Sequence, residues 1–279
     1  MKVICDSLDV SRSHLRESLR KKVMVAKKRR GKTPQISDED ILQRIRALVA
    51  KRPSYGYRRA GAVVNKVLVA DGLPKANHKR IYRLMKENNL LLPKFVGFKP
   101  KRKHEGKVQT LRSNTRWCSD SFQIRCWDGR KIEAMFVIDT CDREVLSLVA
   151  AVGNLEASDV RDALALAYER RFPGKQTPKT RIEWLTDNGG IFIANETQLF
   201  AEGLGLIPCQ TPAYSPESNG MSEAFVKRFK QDYVYVNELW DAKEVLGKLN
   251  EWATDFNENH PHKSLKMMSP SEFRRANFN

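Results

Sequence analysis

The sequence predicts a mixed α/β domain, a five-stranded sheet with flanking helices, preceded by a small all-α, helix-turn-helix-like module. Three observations carry this. The charge is lopsided: residues 1–114 hold 30 Lys and Arg against 9 Asp and Glu, whereas residues 115–279 hold 20 against 24. The first part reads as short helices joined by tight turns. The second changes rhythm to β-β-β-α-β-α-β-α-α, the pattern of a sheet covered by helices.

Val10–Val23 has Leu15, Leu19 and Val23 at helical spacing behind Ser11, a plausible N-cap, and reads as a first helix. Residues 27–37, KKRRGKTPQIS, form a basic linker broken by Gly31 and Pro34, suited to phosphate contact or to a solvated tether. A second helix starts near Ser37, where Asp38, Glu39 and Asp40 suit the positive end of the helix dipole; Ile41, Ile45 and Leu48 form its apolar stripe and Pro53 ends it. Arg58–Val69 is a third helix, closed by Asp71-Gly72. Asn77–Leu90 is a fourth, with Ile81, Leu84 and Met85 inward and Lys79, Arg80, Arg83 and Lys86 outward. A three-helix bundle without a DNA role fits the same pattern. Residues 92–114 are basic, rich in Pro and Gly and aperiodic, the composition of a linker. The expected organisation is a helical DNA-binding region over 1–92, a basic linker over 93–113 and a catalytic core over 114–279.

Trp117–Ile124, Lys131–Thr140 and Glu144–Val152 read as consecutive strands, the first two joined at Asp128-Gly129, a strong hairpin signal. Ala157–Arg171 is a helix with Ser158 as its expected cap. Arg181–Leu185 is a fourth strand, Asn195–Leu204 a helix, Leu206–Cys209 a fifth strand, and Met221–Tyr235 and Ala242–Asn257 two more helices. Trp117, Trp127, Trp184 and Trp252 sit among apolar or β-rich residues and are expected in the core. Asp139 and Arg143 are read as a structural pair, and His260 and His262 as part of a turn that Pro261 imposes after the last helix.

With 41% hydrophobic and 30% charged residues, the composition is that of a folded globular protein. No apolar run approaches the roughly 18 residues of a membrane span, and residues 1–14 lack the apolar core of a signal peptide. The five widely spaced cysteines form no C-x-x-C, which argues against a zinc ribbon or a disulfide framework and for reduced thiols in the cytoplasm. A net charge of +17, concentrated in the first part, points to a polyanion, nucleic acid before membrane; a merely solubilising surface is the alternative.

Three acids stand out by position. Asp120 lies inside the first strand. Asp187 directly follows the apolar strand IEWL and precedes Asn188-Gly189-Gly190. Glu223 lies in the first turn of a long helix, separated from Asp187 by 35 intervening residues. Carboxylates on two strands and on a helix packed against them can converge at one end of a sheet. Hard divalent cations take such oxygen donors, and a pair of ions about 3.5–4 Å apart clamps both oxygens of an in-line phosphoryl displacement. Taken singly, a strand-end Asp caps a turn and a helix-start Glu complements a dipole.

The segments WCSDSFQI, FVIDTCDRE, EWLTDNGG, SPESNGMSEAFVKRFKQDYV and NENHPHKSLKMMSPSEF together resemble the integrase-type DDE transposases of bacterial insertion sequences, most closely the second-frame (OrfB) product of the IS-three family. RPSYGYRRAGAVV and KRIYRLMKENNLL resemble the helical region before the core in that family, so the resemblance runs from about residue 9 to 275. It implies an RNase H-like core with Asp120, Asp187 and Glu223 as catalytic, metal-binding triad and two Mg²⁺ (or Mn²⁺) ions per site. It implies cleavage of double-stranded DNA at the terminal inverted repeats of the element and strand transfer into target DNA by transesterification. The alternatives are a non-catalytic DNA-binding regulator of the element and an RNase H-like nuclease acting on RNA. Candidate DNA contacts are Arg58, Arg59, Lys79, Arg80, Asn188, Tyr214, Lys227 and Lys230; Asn188 could equally cap its turn, Tyr214 could pack on the core and the two lysines could be solvated. Expected partners are a second copy of the chain on DNA and an upstream-frame product, as partner or fusion, supplying the helix-turn-helix and leucine zipper. The expected location is the bacterial cytoplasm, on the nucleoid.

Overall fold

The computed structural model describes Cys5, Ser7, Ser11 and residues 35–93, 110–174, 178, 180–211 and 220–278. The chain divides into two compact units, Met1–Gln35 and Ile36–Asn279. The expected helix Val10–Val23 (Ser11 apart), the linker stretches 27–34 and 94–109, Tyr214 and Asn219 lie outside the described residues.

The second unit begins with three helices. In α1 (Asp38–Lys51) the Ser37 hydroxyl accepts from the Asp40 amide at 3.0 Å, the expected cap. Next come α2 (Tyr57–Ala70) and α3 (His78–Glu87), the latter capped by Asn77. Gly72 ends the second with φ of +70°, a left-handed conformation that glycine adopts at no steric cost. Between them, Asn65 both accepts from the Ala76 amide and donates to its carbonyl. The buried stripe Ile41, Ile45, Val64, Leu68, Ile81 and Met85 fills the centre of this module, as the helical periodicity predicts.

The sheet has strands β1 (Arg116–Arg125), β2 (Lys131–Asp139), β3 (Val145–Val152), β4 (Ile182–Thr186) and β5 (Leu206–Gln210) in the order β3-β2-β1-β4-β5. The three hairpin-linked strands are antiparallel, and β1–β4 and β4–β5 run parallel. Those parallel pairs require crossovers, supplied by α4 (Ala157–Arg171) and by α5 (Gly190–Ile193) with α6 (Asn195–Gly203). This is the RNase H-like arrangement. One face buries Trp117, Trp184, Met135 and Val137 beneath Leu164 and its neighbours on α4. The other buries Phe122, Phe136 and Ile124 beneath α7 (Gly220–Phe229) and α8 (Ala242–Asn259). Asn257 of α8 locks onto β3, donating to the Val145 carbonyl and accepting from its amide, both at 2.8 Å. A last helix, α9 (Pro270–Phe278), comes after a short 3₁₀ turn at Lys263–Leu265.

Four expectations are corrected. The cap of α4 is Glu156, not Ser158: the Glu156 and Asp159 side chains each accept from the other's backbone amide, so both orphan donors are satisfied reciprocally. Trp127 is 57% exposed; it lies at the β1–β2 hairpin tip, edge-on to Trp240 at 4.5 Å, whereas Trp117, Trp184 and Trp252 are buried as expected. Arg143 meets Asp139 only through the backbone, its amide donating to the Asp139 carbonyl at 3.0 Å; its guanidinium reaches the Met221 sulfur, and the Asp139 carboxylate faces Arg171 instead. The helix expected over Met221–Tyr235 stops at Phe229 and continues as one wide π turn, Lys230–Val234. That wider turn lets the consecutive residues Asp232 and Tyr233 both face inward.

Candidate active site

Strand register sets the first two acids. β1 and β4 pair in parallel at Trp117–Trp184 and Cys118–Leu185. Asp120 lies two residues beyond the last of these pairs on β1, and Asp187 directly follows the end of β4. Side chains alternate along a strand, so Asp120 shares a face with Cys118, and Asp187 shares one with Leu185. Cys118 and Leu185 both belong to the cluster beneath α7 and α8, so both acids are on that face. The Asp120 Oδ1 accepts from the Ser121 amide at 2.8 Å. The Asp187 Oδ1 accepts from the Gly189 amide at 3.0 Å.

The third acid arrives on α7. The Phe225 ring packs, tilted, 4.3 Å from that of Phe136, the cross-strand partner of Asp120, and Phe229 lies 5.8 Å from Phe122. Ser222 is buried beside Cys118, whose thiol burial pushes up to about 12. These contacts lay the helix across β1 and β2, with Glu223 in its exposed first turn. The three acids thus share one face of the sheet. Among the described residues, no three His, Cys, Asp or Glu side chains are drawn together closely enough to hold a metal.

Two features bear on whether a hard cation suits this set. The donors are all carboxylate oxygens, the chemistry Mg²⁺ and Mn²⁺ take. The turn after Asp187 is also cut to the acid: a Cβ on Gly189 would stand 3.0 Å from Asp187 Oδ1 and 3.3 Å from the Phe192 ring. Glycine there leaves the carboxylate its place over the turn. Asn188 donates to the Thr211 carbonyl at 3.2 Å, tying the ends of β4 and β5 together.

The basic candidates separate into two groups. Arg58, Lys79 and Lys227 are exposed. Lys230 is half-buried with its ammonium 5.6 Å from the centre of the Phe122 ring, and burial lowers its pKa. Arg59 and Arg80 face inward. Arg80 donates to Asp38 at 2.6 Å and to the Ile36 carbonyl at 2.7 Å, and Arg59 meets Asp232 at 2.6 Å.

His260 and His262 do fall where α8 ends. His260 stacks on Phe256 at 4.9 Å, and burial lowers both imidazoles, His262 to about 3, which keeps them neutral. Sequence reasoning missed Asp232. Its signal was present: an acid in helical phase with Phe225 and Phe229, on the apolar stripe rather than the polar face.

Comparison with known proteins agrees with this architecture. Models of the integrase core domain match residues 111–216 and 207–270, and a model of an HTH-like domain matches 36–94. Transposase InsD of the Escherichia coli insertion element IS2A/D/F/H/I/K is 41% identical over 269 residues, covering 96% of this chain and 88% of its own. The InsD of element IS2-9 in strain K12 matches equally over 96% and 87%. Among solved structures, the catalytic core of BIV integrase aligns with a TM-score of 0.40 at 18% identity, over 58% of this chain and 95% of its own. The catalytic domain of Mos1 transposase with raltegravir and Mg gives 0.42 at 21%, over 50% and 71%. The near-complete match to InsD and the integrase-core matches across the sheet and its flanking helices show that the chain belongs to the integrase-type DDE transposases of bacterial insertion sequences, the IS-three family, and is a DNA transposase of the polynucleotidyl transferase class.

Proposed function

We propose that Asp120, Asp187 and Glu223 form the catalytic, metal-holding site, and that the enzyme cleaves double-stranded DNA at the inverted repeats of its element and joins the freed ends to target DNA. The observation that carries this is the pairing of β1, which bears Asp120, with the parallel β4, which Asp187 directly follows, beneath the helix bearing Glu223. These acids would hold two Mg²⁺ or Mn²⁺ ions, which when bound would activate the attacking oxygen and offset charge at the scissile phosphate. In cleavage, water attacks the phosphorus, the P–O3′ bond breaks and a 3′-hydroxyl is released. In transfer, that hydroxyl attacks a target phosphate and the target's own 3′-oxygen leaves. Both steps are displacements at phosphorus governed by positioning and electrostatics.

Around the triad, Asn188 holds the Asp187 turn, and Lys227 and Lys230 come after Glu223 on the same helix segment, placed to meet phosphate. Arg58 and Lys79 would contact the DNA backbone from the helical region, setting affinity rather than base choice. With Arg59 and Arg80 engaged internally, they are not assigned that role. In this reading residues 1–92 are the DNA-binding region, 93–113 the linker and 114–279 the core, although α1–α3 share one compact unit with the core. A homo-oligomer on DNA, an upstream-frame partner or fusion, and a place on the nucleoid complete it; among the described residues, no helix is long and apolar enough to cross a membrane.

The test is a cleavage and strand-transfer assay on labelled element ends with Mg²⁺ or Mn²⁺. The wild-type chain, alone or with the upstream product, yields cut and joined DNA. Asp120→Asn, Asp187→Asn and Glu223→Gln each lower the rate by about 10³-fold or more while retaining end binding. Cleavage by any of the three at the wild-type rate removes that residue from the site. A wild-type chain that binds ends but never cuts them restores the regulator reading.

A further inference from the structure

The helical module is fastened to the core by a buried ionic latch. Asp232, in the π turn that prolongs the Glu223 helix, is 1% exposed. Its Oδ2 lies 2.6 Å from Arg59 Nη1 of α2, 3.6 Å from His260 Nδ1 and 4.0 Å from Arg228 Nε. Arg59 is itself held, with its guanidinium 4.6 Å over the Tyr55 ring and a second nitrogen donating to the Ser54 carbonyl. The Tyr55 hydroxyl is 3.2 Å from His260 Nδ1. Beside this, Arg52 pairs at 2.6 Å with Asp255, which also accepts from the Tyr233 hydroxyl.

We propose that Arg59 and Asp232 are positioning residues: the pair ties the DNA-binding module to the Glu223 helix and so sets the stance of that carboxylate in the active site. Glu223 is exposed in the first turn of α7, and the helix is held to the sheet by Ser222, Phe225 and Phe229. Beyond Phe229 the latch takes over. Asp232 is buried, so its attraction to Arg59 acts through little screening solvent. Among the described residues its Oδ1 accepts no hydrogen bond, so neutralising Arg59 leaves the carboxylate with poor compensation and frees the π turn to shift. A rotation of that turn moves the helix continuous with it, at whose other end stands Glu223. The module's grip on DNA is thereby linked to the geometry of the acids, rather than merely carried on a neighbouring body.

The proposal rests on Glu223 holding metal, and the experiment separates the two ideas. It compares the full chain with Arg59→Gln, Arg59→Lys and Lys66→Gln. The last breaks another 2.6 Å pair between α2 and the core, Lys66–Glu272, which does not touch the π turn. Arg59→Gln is expected to raise the Mg²⁺ concentration for half-maximal end cleavage about tenfold, and to speed amide exchange across Gly220–Phe229 in metal-free protein. Arg59→Lys recovers most of both losses, and Lys66→Gln shows neither. An unshifted Arg59→Gln, or equal shifts in Arg59→Gln and Lys66→Gln, overturns the proposal. If circular dichroism shows Arg59→Gln unfolded, Asp232→Asn carries the same expectations and the same refutations. An active Glu223→Gln enzyme defeats the metal reading; an inactive one beside an unshifted Arg59→Gln defeats only the latch.

Discussion

Two groups of acids sit on this sheet, and their surroundings differ. Asp139, Asp142 and Glu144 cluster in the β2–β3 turn, all buried. Arg171 answers them from the end of α4: its nitrogens lie 3.0 and 3.2 Å from the two Asp142 oxygens, 3.3 Å from Glu144 and 3.7 Å from Asp139. Arg274 of α9 adds a second guanidinium 3.5 Å from Asp142. Asp187 and Glu223 are accessible, and among the described residues neither forms an ion pair with Lys or Arg. The first group carries its countercharge within the fold and joins β2, β3, α4 and α9. The second, in the function proposed above, would take its countercharge from bound cations. A carboxylate with a resident guanidinium is structural cement; one left accessible at a sheet end is available for chemistry.

The strongest break of this comparison is functional. Neutralising Asp120, Asp187 or Glu223 should cost three orders of magnitude in cleavage and little in melting temperature. Neutralising the answering cation of the other group should do the reverse. Arg171→Met leaves buried carboxylates uncompensated and should lower unfolding free energy by about 3–5 kcal/mol, read by chemical denaturation. A stable Arg171→Met protein would show that Arg170, 3.2 Å from Glu144, and Arg274 together suffice to neutralise the cluster.

How much of this was legible in the sequence depends on the range over which each signal acts. Strand alternation and helix phase are local, so all five strands and the helices α4, α6 and α8 could be read to within a few residues, whereas the end of α7 was misplaced and the short α5 and the last helix α9 were not read. The Asp120–Asp187 alignment was legible only as a resemblance. The register between β1 and β4 is set by a connection that runs through β2, β3 and α4, not by any local pattern. The Asp139–Arg143 pairing failed for a related reason: proximity in sequence favoured Arg143, but a left-handed backbone at that residue (φ of +65°) turns it toward Met221. Arg171, far along the chain from Asp139, wins by coming back over the sheet on α4. Arg59 and Arg80 were read as DNA contacts from charge alone. A sequence shows that an arginine is basic, not that a buried acid such as Asp232 already holds it.

The glycine after Asp187 sharpens the comparison from the catalytic side. Gly189 has an ordinary φ of −62°, so alanine is not excluded by the backbone. What an added Cβ would crowd is the carboxylate 3.0 Å away. Gly189→Ala should displace Asp187 rather than unfold the turn. A loss in end cleavage of about 30-fold, or roughly 2 kcal/mol in the barrier, is expected with the melting temperature nearly unchanged. A large drop in stability with normal residual kinetics would make Gly189 a folding residue instead.

The smallest expected effect tests whether the buried group is fully compensated. Burial, and then the charge of Asp142, push Asp139 up to about 6, against the pull of Arg171. An unfolded Asp titrates near 4. Between those values the folded protein holds more protons than the unfolded chain, so this residue makes stability fall as pH rises from about 4 to 6, and the loss is complete above that. His260 and His262 act oppositely: their folded pKa values are depressed, so their contribution is present above about 6.5 and is lost on acidification. Subtracting Asp139→Asn from wild type cancels the histidines and isolates the acid. Relative to the variant, wild type should be more stable at pH 5 than at pH 7 by about 1 kcal/mol, seen as a melting-temperature gap that widens on acidification. A gap that stays constant would mean that Asp139 keeps its charge down to the ordinary carboxylate range, with Arg171 outweighing both burial and Asp142.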